Sequence, residues 1–245
     1  MFPARALAIL GIQVMAAAGP AATAMTVTPT HLELVSAGSQ SRARITVVNN
    51  SAQPLPIESI VLRANLDEAG LPTTSKAGDE FLIMPPQALI APGATQNFRI
   101  QWLGEPMIES SQSFLIYMTQ VAVKLPPNKS AVQVVMSVGV MVNVAPPRGV
   151  ASLQILQTDV TTDRAGKRQP TITVFNPSRI HALLPQATIR LASGSWSETI
   201  TPGILNERIG IGLVQPGRKR RFILPVALPA GVHTVQARLD FTPKR

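Results

Sequence analysis

Beyond residue 25 the apolar residues of this chain recur at every second position, in short runs punctuated by Pro, Gly, Asn and Ser. No window of twelve or more residues carries a 3.6-residue period. A period of two puts alternate side chains on opposite faces of a strand, so the pattern restricts the chain to sheets. The runs are Thr26–Leu34, Ala43–Val48, Ile57–Arg63, Phe81–Met84, Phe98–Trp102, Phe114–Val123 and Val132–Val144. Seven short strands bounded by turn residues read as a β-sandwich. Ala145-Pro146-Pro147-Arg148-Gly149 then breaks the pattern, because proline ends a strand and stiffens the junction. Strands resume at Ala151–Gln157, Gln169–Phe175, Ala187–Leu191, Arg220–Pro225 and Thr234–Phe241. Turns fall at Asn176-Pro177, Pro202-Gly203, Pro216-Gly217 and Ala230-Gly231. The expectation is an all-β chain of two sandwiches, residues 25–145 and 150–245, joined by a proline linker at 146–149.

Residues 1–24 read as an address. Met1–Arg5 is short and positive, Ala6–Gly19 is apolar except for Gln13, and Ala22-Thr23-Ala24 is a small-x-small cleavage pattern. A secretory signal peptide cut after about Ala24 is expected, and with it an exported protein. The apolar run falls short of the ~20 residues a membrane helix needs, and no later segment qualifies, so no membrane insertion is expected.

Little chemistry is written into the side chains. Cysteine is absent, which excludes disulfides, thiol catalysis and cysteine metal sites. The three histidines, His31, His181 and His233, stand far apart and in no metal-ligand spacing. No G-x-S-x-G elbow, H-E-x-x-H helix or phosphate loop occurs. Gly210-Ile211-Gly212 lacks the strand-to-helix context that a phosphate loop requires. No catalytic residue, metal or cofactor is expected, and an enzyme is disfavoured.

The net charge of +9 is carried by one half of the chain. Residues 25–147 hold seven bases and eight acids, whereas residues 148–245 hold fourteen bases and five acids. Arg218, Lys219, Arg220 and Arg221 form a basic turn that either meets an acidic or anionic partner or is simply solvated. Without interleaved aromatics it does not read as a nucleic-acid site.

Val132–Val144 is the least ordinary segment. Val132, Val134, Met136, Val138, Val140, Val142 and Val144 form one continuous apolar face on a strand about twice the usual length. Two readings stand: a central strand whose face lies in its own core, or a strand that lends its side chains to a neighbour by β-augmentation.

Several segments together resemble the periplasmic chaperones of the chaperone–usher pilus pathway. They are Val27–Leu34, Val48-Asn49-Asn50, Met84-Pro85-Pro86, Ile90-Ala91-Pro92-Gly93, Phe98-Arg99-Ile100, Ser113–Tyr117, the long Val132–Val144 strand ending in proline, and Phe175-Asn176-Pro177-Ser178. The resemblance implies two immunoglobulin-like domains in an L-shaped or boomerang arrangement and a non-enzymatic assembly factor of the periplasm. It implies as partners pilus or fimbrial subunits, completed in trans by a donated strand, and an outer-membrane usher to which they are delivered. Val132, Val134, Met136 and Val138 would be the inserted side chains. The alternative is a self-associating immunoglobulin-like structural or adhesive surface protein.

Members of that family hold the subunit's C-terminal carboxylate with bases on the first and last strands of the first domain. The corresponding positions here resemble His31 and Met141. Ser113–Val123, where a divergent branch places an arginine, has no base. His31, Arg99 and Lys129 are therefore the candidate carboxylate anchors.

Overall fold

The computed structural model describes residues 25–122 and 135–243. Among the described residues the first half forms β1 (Met25–Thr28), β2 (His31–Val35), β3 (Arg42–Asn49), β4 (Leu55–Leu66), β5 (Pro72–Lys76), β6 (Phe81–Met84), β7 (Gln87–Ile90), β8 (Thr95–Trp102), β9 (Gln112–Gln120) and β10 (Ser137–Ala145). One sheet runs β1-β3-β8-β6; the other runs β2-β10-β9-β4-β5, with β7 also paired to β4. Alternation places the core between the two sheets. Ile45 and Val47 of β3, with Phe98 and Ile100 of β8, are at most 1% exposed. They belong to one cluster with Phe114, Ile116 and Met118 of β9 and Val140, Val142 and Val144 of β10. Phe81, Trp102 and Phe114 close one end of this core, their ring centroids 4.9–5.7 Å apart in edge-on and tilted pairs. Arg63 covers the Phe114 ring, donates to Gln112 Oε1 at 3.0 Å and pairs with Glu80 at 2.5 Å.

The run expected as a single first strand, Thr26–Leu34, is two strands in different sheets. β1 pairs antiparallel with β3, while β2 pairs parallel with β10. Pro29 lies between them; it has no N–H to give a ladder, so one pairing ends and the chain crosses to the other sheet.

The second half forms β11 (Gln154–Thr162), β12 (Arg168–Phe175), β13 (Ala182–Leu183), β14 (Ala187–Ser193), β15 (Trp196–Ile200), β16 (Leu213–Val214), β17 (Lys219–Ile223) and β18 (Gln236–Phe241). Its sheets run β11-β12-β17 and β15-β14-β18, with β13 and β16 as a separate pair. They enclose a second core that includes Ile172, Val174, Leu184, Ile189, Leu191 and Phe222. Where the sequence reads as a turn at Pro202-Gly203, the structure has a helix, α1 (Pro202–Ile209). Proline is favourable at a helix start; Leu205 is fully buried in the core, and Gly210 ends the helix with φ +71°.

The two halves repeat one device. Asn49 is fully buried and donates through Nδ2 to the carbonyls of Gln53 at 2.8 Å and Ile90 at 2.9 Å. Its Oδ1 accepts from the amide and hydroxyl of Ser51. Asn176, also fully buried, donates to Ile180 at 2.8 Å and Val214 at 2.9 Å, and accepts from the amide and hydroxyl of Ser178. In each half one side chain meets the backbone needs of a corner that neither sheet ladder reaches.

Candidate functional site

β10 has two different surroundings along its length. On one side it pairs with β9 from Ser137↔Thr119 to Val144↔Gln112. On the other side β2 accompanies it only from Met141↔His31 to Ala145↔Val35. Among the described residues, Ser137–Val140 therefore has a partner on one side alone. Backbone donors and acceptors left unpaired along an edge are a template for another strand.

The side chains divide along the same strand. Val140, Val142 and Val144 are 0% exposed, in the chain's own core. Met136 and Val138 are only partly buried at the margin of that core. Val132, Val134 and Lys129 lie outside the described residues.

Beside the open edge sits a polar cluster that joins the two halves. Asn143 follows the core-facing Val142 and points to the opposite face; it is 0% exposed. Its Nδ2 donates to Glu33 Oε1 at 2.8 Å, and its Oδ1 accepts from Ser113 Oγ at 2.8 Å. Glu33, on β2, also accepts hydrogen bonds from His31 and His181. His181 belongs to the second half and is 6% exposed, with its Nδ1 buried and unpartnered. Its backbone amide donates to Ser111 Oγ at 3.0 Å. Burial alone would raise the Glu33 pKa. The hydrogen bonds from His181 and His31, the charge of His181 and the Asn143 amide outweigh it and hold the carboxyl at about 2.

Of the candidate anchors, His31 and Arg99 lie in different sheets. His31 is engaged with Glu33, a carboxylate of the same chain. Arg99 lies on β8 in the other sheet, exposed and directly opposite Arg44.

The basic turn is also divided. Arg218, Lys219 and Arg221 are exposed. Arg220 lies over the Phe222 ring, 4.8 Å from its centroid, and donates to the Leu213 carbonyl at 2.7 Å. Burial lowers its pKa against the opposing charge of Asp67. Its guanidinium occupies the space a side chain on Gly70 would need. The β4–β5 turn thus sits on β17, where the Arg221 amide donates to the Glu68 carbonyl at 2.8 Å. Gln215 fastens the same contact, donating to Ala64 O at 2.9 Å and accepting from Leu66 N at 2.8 Å.

Glu33, Asn143, His181 and Gln215 carry no signal in the one-dimensional pattern. The nearest hint is Asn143, a polar residue set between valines.

The family model described as pili and flagellar-assembly chaperone, PapD N-terminal domain, matches residues 24–148. No curated protein sequence matches the chain. Among solved structures, the class 5 fimbriae chaperone CfaA superposes with a TM-score of 0.52 at 10% identity, over 89% of this chain and 100% of that one. A chain from the Salmonella enterica SafA pilin–SafB chaperone complex gives 0.52 at 14% identity, over 89% and 96%. One from the CsuC–CsuE chaperone–tip subunit complex of the archaic Csu pili of Acinetobacter baumannii gives 0.51 at 13%, over 89% and 98%. These likenesses establish a shared two-domain all-β fold.

Proposed function

Because the chain belongs to the family of pili and flagellar-assembly chaperones, we propose that it captures pilus or fimbrial subunits in the periplasm by donating strand β10, and delivers them to an outer-membrane usher. The family is one of non-enzymatic assembly factors. The observation that carries the proposal is the one-sided pairing of Ser137–Val140, which leaves an edge next to partly buried Met136 and Val138. The alternation continues in sequence through Val134 and Val132, so a partner lacking a strand receives a backbone edge and a row of apolar side chains at once. Each such side chain contributes about 1.5–3 kcal/mol on full burial, set against the costs of association and ordering. A few of them give a complex that is stable yet able to exchange.

In this proposal residues 1–24 direct export and are removed after about Ala24, and residues 25–145 and 150–245 are the two domains. The exposed Arg218, Lys219 and Arg221 offer a basic stretch to an acidic partner surface, from which Arg220 is withdrawn by its contact with Gly70. The test is co-expression with a pilus subunit. The subunit alone should be degraded or aggregate, and with this protein it should accumulate as a soluble one-to-one complex. A subunit whose level is indifferent to the protein's presence would overturn the proposal.

A further inference from the structure

The outer face of the sheet that holds β10 has a row of apolar residues ending at the open edge. On β9, Phe114, Ile116 and Met118 face the core, so Leu115 and Tyr117 stand on the opposite face. Register sets Ile60 of β4, Tyr117 of β9 and Gly139 of β10 directly side by side. Ile60 is 40% exposed, and Tyr117 is the only tyrosine in the chain.

Gly139 is the unusual member. A glycine inside a strand loses packing and marks a place where something approaches closely. A Cβ there would stand 3.2 Å from Tyr117 Cε1, 3.5 Å from its Cδ1 and 3.5 Å from Leu115 Cδ2. The ring therefore lies against Gly139, an aromatic covering a bare backbone position. One row further along, Leu62, Leu115 and Met141 continue to His31 on β2. The Tyr117 row has no such neighbour among the described residues, because β2 begins pairing only at Met141.

A strand laid along Ser137–Val140 places one of its outward side chains directly beside Gly139, at a cross-strand spacing of about 5 Å. With no Cβ between them, that side chain meets the face and edge of the Tyr117 ring. In the flanking rows of this face, His31 is bonded to Glu33 of the row beyond it, while Lys76 and Glu58 stand on β5 and β4, away from the open edge, so nothing beside Gly139 calls for a charge. We infer that Tyr117 and Gly139 form a seat for one large apolar or aromatic side chain on the outward face of the captured strand. The site then reads both faces of its partner, the inner through Met136 and Val138 and the outer through this seat. The inference rests on the strand donation proposed above.

Synthetic eleven-residue peptides of alternating valine and threonine provide the probe, with one phenylalanine moved through the outward positions and a parallel set methylated on alternate backbone nitrogens. Binding to the mature chain is read by fluorescence anisotropy, with circular dichroism to confirm folding of each variant. One phenylalanine position should bind about fivefold tighter than the all-threonine peptide, the scale of one aromatic contact. Tyr117→Ala should remove that preference, so that every phenylalanine peptide binds like the threonine peptide, and Tyr117→Leu, which keeps the sheet covered, should reduce it. Equal binding at every phenylalanine position, with methylation still abolishing it, overturns the seat and leaves strand donation standing. Binding that survives methylation, or no binding by any peptide, overturns both.

Discussion

Glu33 accepts hydrogen bonds from His31 and His181 and from the Asn143 amide, and so ties β2 to β10 and to the second half of the chain. Its carboxyl titrates at about 2 in the folded protein, below its ordinary value of 4.5. On acidification the unfolded chain takes up this proton first. The stabilisation from Glu33 is therefore complete above pH 4.5 and is lost as the pH falls from there toward about 2. Urea melts at steps between pH 6 and pH 2 should show wild type exceeding Glu33→Gln by a margin that shrinks across this window. A margin that stays constant would mean the carboxylate is not preferentially bonded in the fold. The half-buried Arg220 owes its place to Gly70, whose φ of +89° and missing side chain let the guanidinium lie against the turn.

At the scale of an element, β10 is an interior strand at one end and an edge at the other. The two ends should answer differently to the same substitution. Val142 is 0% exposed, so Val142→Asp buries an unpaired carboxylate and should unfold the first half outright. Met136 lies at the margin of the core, so Met136→Asp should leave the circular dichroism spectrum intact and abolish subunit capture in a pull-down. Unfolding by both would assign the whole apolar face to the chain's own core. The alternation of Val132–Val144 was plain in the sequence, but the point at which the strand loses its neighbour was not. That point is set by where β2 begins, and β2 is more than a hundred residues away in the chain. Local pattern also missed α1, since eight residues starting Pro-Gly read as a turn until Leu205 finds a core to enter.

For the whole molecule, the contact between the halves rests on a few polar groups. Gln215 is 7% exposed and bonds both Ala64 O and Leu66 N. Gln215→Ala leaves those two groups without their partner and should cost about 2 kcal/mol. Hydrogen exchange at the Leu66 amide should accelerate, with both cores still folded; an unchanged rate there would show that the halves are held elsewhere. The sequence by itself determined the all-β character, the break at Ala145–Gly149 and the apolar face of β10. Each is a matter of period, composition or a residue's own backbone limits, and so is readable locally. Even the paired Asn49 and Asn176 corners stood out as turn clusters, although their four hydrogen bonds apiece did not. The tertiary structure alone decided that Glu33 meets His181, that Arg220 is covered while Arg218 is not, that His31 and Arg99 lie on different sheets, and that Tyr117 rests on Gly139. Those are meetings between residues distant in the chain, fixed by strand register and by the docking of two halves. A period of two says which face a side chain takes, not which strand will lie beside it.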